Sequence, residues 1–380
     1  MRDSDQRSST NCKCQVRKGI LDLPREIIYD ILCRLPNPTE SILICGVVCK
    51  TWYAITQDPC FINKLGDSHY LPTRLILRPL SVKDISYTPN YLVLVDIENH
   101  KARQIPLEKM FRELKITCSC NGFLCMAPEQ KLDPVVIYNP ITRDHLILPP
   151  SDSKSSVLSQ EIGLGFDPST NKYKVVRGYT GLSYRDTMRR FEIISLGEIS
   201  WRELSTPQFM VVRVGWEVIF LSGALYWTKT EGVNTIVVQL NLSDEKFRNI
   251  SFPEYYPLSH VSLGLIEIKG IVILVLGSST AIRFWRIGKG KGEDELSFFL
   301  HTCYDTCVRW GGGVSCAFVC QMNDESYLLQ VGCRNSQKER RVHLTQYFPD
   351  KVKYSNLKLR GLPDCFQTAC FKPSLAPVPK

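Results

Sequence analysis

One unit recurs along most of this chain: an apolar run, a polar turn, then a short second run ending near proline. The clear instances are VDIENHKARQIPL from Val95, YNPITRDHLILPP from Tyr138, SLGEISWRELSTP from Ser195 and NLSDEKFRNISFP from Asn241. Their starts lie 43, 57 and 46 residues apart, a spacing that suits one four-stranded unit per repeat. Fainter copies run from Phe284 to Phe299 and from Tyr347 to Leu359. Between and around them lie short strand-like runs such as LVLVDI, VVIYNP, YKVVRGY, RFEIISL, TIVVQLNL and GIVILVLG, punctuated by Gly, Pro, Asn and Asp. Period-two alternation with β-branched and aromatic enrichment predicts an all-β domain over residues 73–372. Only a pair of sandwiches, a large barrel or a propeller fits that length. The repeats predict a β-propeller of about six blades, in which radial repetition leaves few strand edges exposed. A double β-sandwich is the alternative.

Residues 20–62 read differently. Pro24 is pre-organised for a first helical position, and Glu26 places a carboxylate in the positive first turn. A helix over about Pro24–Leu35 would carry Ile27, Ile28, Ile31, Leu32 and Leu35, which fill two adjacent rows of one face. Asn37, Pro38 and Glu40 form a cap, a first position and a reciprocal partner for a second helix expected to bury Ile42, Leu43 and Ile44. Gly46 predicts a break, followed by a third short helix through Val47, Val48, Cys49 and Trp52. Asp58 and Pro59 start one more turn holding Phe61 and Ile62. A module of about forty residues buries too little surface to be robust alone, so part of its apolar surface should meet something else. A helical cap packed on the following domain is the plain alternative to an external partner.

The residues of this segment resemble an F-box. LPREIIYDILCRLP followed by VCKTWYAITQDPCF combines Leu23-Pro24, the Ile/Leu ladder, the Val48-Cys49-Lys50-x-Trp52 element, and Pro59 with Phe61. The resemblance implies docking onto the Skp-type adaptor of cullin-based ubiquitin ligases. It implies adaptor contacts from Leu23, Pro24, Ile27, Ile31, Leu32 and Leu35, with Val48, Cys49 and Trp52 completing the docking surface and its support. Trp52 suits the miniature core as well as the contact, because a large indole stabilises short helices by sitting between them. Where many relatives carry Arg between Cys45 and Val48, this chain has Gly46-Val47.

The β region in turn resembles the F-box-associated domains of plant F-box proteins, related in pattern to kelch repeats. The matching residues are Cys120-Asn121-Gly122-Phe123-Leu124-Cys125, Asn139-Pro140-x-Thr142-Arg143, Gly165-Phe166-Asp167-Pro168 with Tyr173-Lys174-Val175-Val176, Trp201-Arg202, Gly223-Ala224-Leu225-Tyr226-Trp227, and Leu242 with Phe247-Arg248. Asn121-Gly122 reads as a tight hairpin turn needing positive φ, and Asp167-Pro168 with Asn171 as a further turn. These residues are expected to build blades rather than touch a ligand. The last 90 residues match the pattern poorly.

Composition narrows the function. Residues 1–19 are polar, lack the apolar stretch of a signal peptide and read as a disordered lead-in, and 63–72 and 373–380 read as a linker and a C-terminal tail. No apolar run approaches the roughly 18 residues of a membrane span, so no membrane partner is expected, and a cytoplasmic or nuclear location is. Sixteen cysteines without a secretory signal suggest a reducing compartment and no structural disulfides. The tightest cluster, Cys118, Cys120 and Cys125, begins with a Cys-x-Cys pair one residue short of structural zinc spacing, so no metal is expected. There is no Gly-x-Ser-x-Gly elbow, phosphate-binding loop or His-Glu-x-x-His pair, hence no expected catalytic residue or cofactor. GKGKG at 288–292 reads as a hairpin tip. Of the net charge of +9, a surplus of six falls in 334–360, around Lys338, Arg340 and Arg341. A solvated loop explains it, and no nucleic-acid motif accompanies it.

The resemblances together imply a non-catalytic substrate receptor that bridges an unknown target protein to the adaptor and, through it, to the cullin scaffold. Loops on one rim of the propeller are expected to meet the target, with Tyr184 and Arg185 and the pair Tyr255 and Tyr256 as candidates, since exposed aromatics anchor interfaces. A propeller acting as a ligand-binding or enzymatic domain, and an F-box scaffold working outside ubiquitination, are the competing readings.

Overall fold

The computed structural model describes residues 19–20, 23–35, 38–67, 74–80, 89–129, 131–152, 157–181, 190–205, 218–231, 234–251, 262–268, 270–277, 281–289, 296–305, 315–323, 326–334, 340–348, 351 and 353–380. The chain divides into two units, residues 1–71 and 72–380.

In the first unit the described residues form four short helices, α1 (Arg25–Cys33), α2 (Pro38–Gly46), α3 (Lys50–Thr56) and α4 (Pro59–Asp67). The two apolar rows of α1 separate. Ile28 and Leu32 enter the bundle core with Cys33, Ile42, Ile55, Phe61 and Leu65, while Ile27 is left 48 % exposed. Asp58 is the cap expected of it: its Oδ1 accepts from the Cys60 amide at 2.9 Å, and its Oδ2 accepts from the Tyr29 hydroxyl at 2.7 Å. Tyr29 also packs on Phe61, ring centroids 5.2 Å apart, so α1 is pinned to the start of α4. The helix α4 runs five residues into the segment read as linker, because Phe61 and Leu65 stand one turn apart and are both buried.

The second unit is a six-bladed propeller: among the described residues its strands form six four-stranded antiparallel sheets. Blade one contains β1 (Arg74–Pro79), β2 (Tyr91–Asp96) and β3 (Lys101–Pro106), and blade two β4 (Lys115–Cys120), β5 (Phe123–Ala127), β6 (Val136–Tyr138) and β7 (His145–Ile147). Blade three contains β8 (Val157–Asp167), β9 (Lys172–Gly181), β10 (Arg190–Ser195) and β11 (Arg202–Glu203). Blade four contains β12 (Ile219–Leu221), β13 (Ala224–Glu231), β14 (Asn234–Asn241) and β15 (Phe247–Ser251). Blade five contains β16 (Ser262–Ile268), β17 (Ile271–Gly277), β18 (Ala281–Lys289) and β19 (Leu296–Asp305), and blade six β20 (Ser315–Asn323), β21 (Ser326–Arg334), β22 (Arg340–Phe348) and β23 (Lys353–Asn356). The last strand, β24 (Phe366–Phe371), returns to blade one and pairs with β1 from Arg74↔Phe371 to Pro79↔Phe366. It becomes that blade's innermost strand, and the inner strands β24, β4, β8, β12, β16 and β20 touch in a closed ring. Closure of this kind removes the sheet edge that an open array would expose.

The repeat visible in the sequence is the outer hairpin of each blade. Its four clear copies are β2–β3, β6–β7, β10–β11 and β14–β15, and the two faint ones are β18–β19 and β22–β23. Gly288 and Lys289 of the GKGKG stretch end β18, and the rest of it, read as a hairpin tip, lies outside the described residues. At the inner hairpins, Asn121 and Gly122 have φ of 47° and 86°, and Ser222 and Gly223 have 48° and 77°. Two successive positive φ values are what a two-residue hairpin turn demands. Apolar clusters fill the interfaces between successive blades, for example Cys118, Phe123, Val135 and Leu148 with Ile162, Leu164 and Trp201 between blades two and three. Between blades one and two the fully buried Arg78 donates to the carbonyls of Leu114, Pro89, Tyr91, Phe111 and Arg112, and burial pulls its pKa down to about 10.

The stretch read as a C-terminal tail is part of this architecture. Asn139 Nδ2 donates to Ser374 O at 3.0 Å and to Ala376 O at 2.8 Å, and the Val378 amide donates to Asp144 Oδ2 at 2.9 Å. Ala376 and Val378 join the apolar cluster of blades two and three. A Cβ on Gly122 would collide with the Ser374 side chain, so the tail lies directly on that turn. Residues 372–380 therefore leave blade one and strap the adjoining blades.

Candidate docking surfaces

The first site is built by the helical unit. Of the twelve large apolar side chains exposed among the described residues, eight lie there: Ile20, Leu23, Ile27, Leu43, Ile44, Val47, Val48 and Tyr53. Contiguity in α2 explains part of this. Residues 42, 43 and 44 sweep about 200° around a helix, so they cannot share one buried face. Ile42 takes the core, while Leu43 and Ile44, expected to be buried, face outward. The break at Gly46 releases Val47 and Val48 from helical geometry, and Cys49 caps α3 in an extended conformation. Gly46 itself sits against Thr56, whose Oγ1 would lie 3.1 Å from a Cβ at that position. A side chain there would press on the buried Thr56, which gives a steric reason for the small residue at that position.

The residues singled out from the sequence divide by depth. Leu23, Pro24, Ile27, Val48 and Cys49 are exposed, and Ile31, Leu35 and Trp52 are half-buried. Leu32, at 1 % exposure, lies inside the bundle. Sequence reading missed Ile44, Val47 and Tyr53. The signal that could have found Ile44 and Val47 is the run ILICGVV itself, too long and too apolar for the one side of α2 that meets the core. Electrostatics hold the unit together beneath this surface. The hydrogen bond from Tyr29 keeps the Asp58 carboxyl below its ordinary value, and the same contact raises the Tyr29 hydroxyl.

The second site is the propeller. The residues shared with F-box-associated domains are blade staples. Asp167 accepts from Ser169 Oγ, Thr170 Oγ1 and Ser243 Oγ at 2.7, 2.8 and 2.7 Å, and Lys174 Nζ stands 2.9 Å from it and 3.1 Å from Glu245. Ser243 and Glu245 belong to the outer turn of blade four, so this cluster ties blade three to blade four. Arg202 adds a further ion pair to Glu245. Trp201 Nε1 donates to Pro149 O at 2.8 Å, linking blades two and three, and its ring lies 4.2 Å from the Arg177 guanidinium. Arg177 is buried between Asp133 and Glu192, at 3.2 and 2.7 Å. Cys118 and Cys125 face each other across β4 and β5. The Cys125 thiol and the Leu164 amide donate to Cys118 Sγ, which lowers the Cys118 thiol against the opposing effect of burial, and the same pairing raises Cys125. Among the described residues no group of three or more ligating side chains is placed to hold a metal. Nor, among them, is any helix long and apolar enough to cross a membrane.

Topology gives the propeller two unlike faces. Inner and outer hairpin turns share one face and are short, two residues at 121–122 and 222–223 and four at 168–171. The longest connections lie at the opposite face, among them 182–189, 204–218, 252–261 and 306–314. The target-contact candidates Tyr184, Arg185, Tyr255 and Tyr256 fall in these connections and lie outside the described residues.

Comparison with known proteins agrees with both halves of this description. The F-box-like family matches residues 20–65, and the family described as F-box associated beta propeller domain matches residues 84–291, more than half the chain. F-box protein At3g07870 of Arabidopsis thaliana is 24 % identical over 92 % of this chain and 90 % of its own length. The putative F-box/kelch-repeat protein At3g17570 of the same plant is 29 % identical over 60 % of this chain and 59 % of its own. The F-box/LRR-repeat/kelch-repeat protein At2g27520, also from Arabidopsis, is 27 % identical over 73 % and 75 %. With the helical module at its N-terminus and the six-bladed β domain behind it, the chain belongs to the plant F-box proteins that carry an F-box-associated β-propeller.

Proposed function

We propose that this chain is the substrate-recognition subunit of a Skp-cullin-F-box ubiquitin ligase. Its helical unit docks onto the Skp-type adaptor, which joins it to the cullin scaffold, and its propeller holds a target protein. The observation that carries the reading is the concentration of exposed apolar side chains on the small helical unit. An unpartnered apolar surface of that kind marks an interaction site. Leu23, Pro24, Ile27, Ile31, Leu35, Val48, Cys49 and Trp52 supply or flank the contact, and Leu32 supports it from within.

The chain then acts without a nucleophile or base of its own. Tethering holds a target lysine close to activated ubiquitin carried by the ligase, and the gain is one of effective concentration. Target recognition belongs to the long-connection face of the propeller, since loops carry specificity on a rigid scaffold.

The test is capture of purified Skp adaptor by the full chain, beside a Leu23→Ala/Pro24→Ala variant with unchanged circular dichroism. Capture by the wild type and its loss in the variant supports the assignment. A folded wild-type chain that ignores the adaptor overturns it.

A further inference from the structure

The positive charge that the sequence concentrates near its C-terminal end lies only partly in a loop. From residue 340 to residue 372 the chain carries seven Lys/Arg against two carboxylates, Asp350 and Asp364. Much of that stretch is β22 and β23, the outer hairpin of blade six. Lys353 lies on β23 itself, Lys351 in the turn before it, and Lys358 and Arg360 on the chain that leaves it; all four are exposed. Among the described residues none of the four stands within ion-pair distance of a carboxylate. The rims of blades three and four differ, for there Arg202 meets Glu245 and Arg248 meets Asp244.

The strand beneath this charge is fixed in place and open on one side. Tyr354 stacks on Tyr347 with ring centroids 4.6 Å apart, and Thr345 Oγ1 donates to Asn356 Oδ1 at 2.9 Å. The Leu357 amide donates to Leu344 O at 2.9 Å, so pairing with β22 continues one residue past β23. The sheet runs β20-β21-β22-β23, and among the described strands none lies on the far side of β23. Because Leu357 bonds inward, alternation turns the N–H and C=O of Asn356 to that open side. Lysine at a free edge discourages an uncharged strand, which would take water from the ammonium and put nothing in its place. Carboxylates on the incoming strand reverse the sign of that effect. Lys353 and Lys358 are five residues apart, about 16 Å along a strand, and an odd separation puts them on opposite faces. A complementary strand therefore carries acids on both of its faces, in a continuous run.

We propose that the outer edge of blade six receives a continuous acidic run of the target protein, added as a strand beside β23. Main-chain hydrogen bonds hold the run, and the cations select it. The end of the edge that carries Lys358 and Arg360 opens onto the long-connection face, where β23 runs out. The proposal rests on the receptor reading above and deepens it by naming the chemistry that the propeller selects.

The experiment uses the full chain and two fluorescein-labelled decapeptides of five glutamates and five threonines, with the glutamates consecutive in one and alternating in the other. Anisotropy at low ionic strength should show the consecutive peptide binding at least five-fold more tightly than its isomer. The variant Lys353→Glu/Lys358→Glu/Arg360→Glu should weaken it at least ten-fold. Lys109→Glu/Lys172→Glu/Lys246→Glu changes net charge equally at exposed positions elsewhere and should leave binding within two-fold. In the wild-type chain, bound peptide should slow hydrogen exchange of the Asn356 amide at least ten-fold. Equal loss in the two variants would reduce the effect to net charge and overturn the proposal. Equal binding of the two peptides, or an Asn356 amide that exchanges as before, would do the same without any variant. An oligothymidylate of the same charge is the rival probe. If it binds more tightly than the consecutive peptide through the same three cations, the edge serves nucleic acid and the assignment fails. Adaptor capture is measured on the same preparations, so absence of capture with intact peptide selectivity would reject the receptor reading and leave the acidic-strand site standing.

Discussion

Lys174 Nζ stands 2.9 Å from Asp167 Oδ2 in a site where the lysine side chain is 7 % exposed and the aspartate 0 %. The pair sits where the inner turn of blade three meets the outer turn of blade four. Burial opposes both charges, yet the hydrogen bonds outweigh it. Asp167 is held well below the usual carboxylate range by Ser169, Lys174, Ser243 and Thr170, and Lys174 is raised by Asp167 and Glu245. Removing one partner of a buried pair leaves an uncompensated charge, at a cost of about 3–5 kcal/mol. Lys174→Met should therefore lower the unfolding free energy by several kcal/mol in chemical denaturation, and a variant within 1 kcal/mol of wild type would refute the staple.

The same pair sets a pH window. A carboxyl with a depressed folded pKa stabilises the fold above its unfolded value, about 3.9, and loses that contribution as pH falls through the folded value. A lysine with a raised folded pKa contributes fully below about 10.4 and loses it as pH rises further. The stability difference between wild type and Asp167→Asn should be flat from about pH 5 to 9 and shrink below about pH 4. Urea titrations across this range check it; a difference that grows in acid would reverse the assignment.

Arg78 has no carboxylate among its described partners and spends its donors on five backbone carbonyls. The planar fork of a guanidinium can serve carbonyls on several sides, whereas an ammonium has three donors at one point. Arg78→Lys should then strand buried carbonyls at about 1–3 kcal/mol. The measurement is equilibrium unfolding of full-length chains. Equal stability of Arg78→Lys and wild type would show that charge alone suffices there.

Much of this was legible beforehand, and its limits have physical causes. Outer hairpins announce themselves because their turns are polar and their last strands, being edges, tolerate proline, as at Pro106. Middle strands such as β17, Ile271–Gly277, sit between neighbours and read as plain apolar runs. The return of β24 to β1 joins residues almost 300 positions apart, which no local pattern reports. Residues 372–380 look like a tail because their hydrogen bonds to Asn139 and Asp144 are made by backbone groups of Ser374, Ala376 and Val378, which no side-chain pattern reports. In the helical unit, the doubled row of α1 was readable. Which of Ile42, Leu43 and Ile44 turns inward depends on the phase of α2 against its neighbours.

The strap predicts that the C-terminus bears on folding. Deleting residues 373–380 removes both carbonyl partners of Asn139 Nδ2 and uncovers part of the apolar cluster formed with Trp201. Loss of two hydrogen bonds to a buried amide and of the Val378 side chain should lower stability by about 3–5 kcal/mol. Asn139→Ala should reproduce part of this loss. If the truncated chain unfolds at the same denaturant concentration as the full one, the strap is ornamental.

Cysteine chemistry reports on docking directly. Cys49 and Cys60 are exposed, while Cys120 and Cys125 are buried and burial pushes the Cys120 thiol well above its ordinary value. Thiolate is the reactive form, so alkylation of the native chain by iodoacetamide should mark Cys49 and Cys60 long before the propeller pair. Cys49 caps α3 within the proposed adaptor contact, whereas Cys60 lies at the start of α4 beside the Asp58 cap. Adding purified Skp adaptor should slow labelling of Cys49 at least ten-fold and leave Cys60 within two-fold of its free rate, as read by peptide mass spectrometry. The variant Ile27→Asp, which puts a charge on an exposed position of α1, should restore fast labelling of Cys49 without altering the helical signal. Equal protection of both cysteines would place the contact elsewhere on the unit. Protection of neither, in a chain that captures adaptor, would move the contact off this surface altogether.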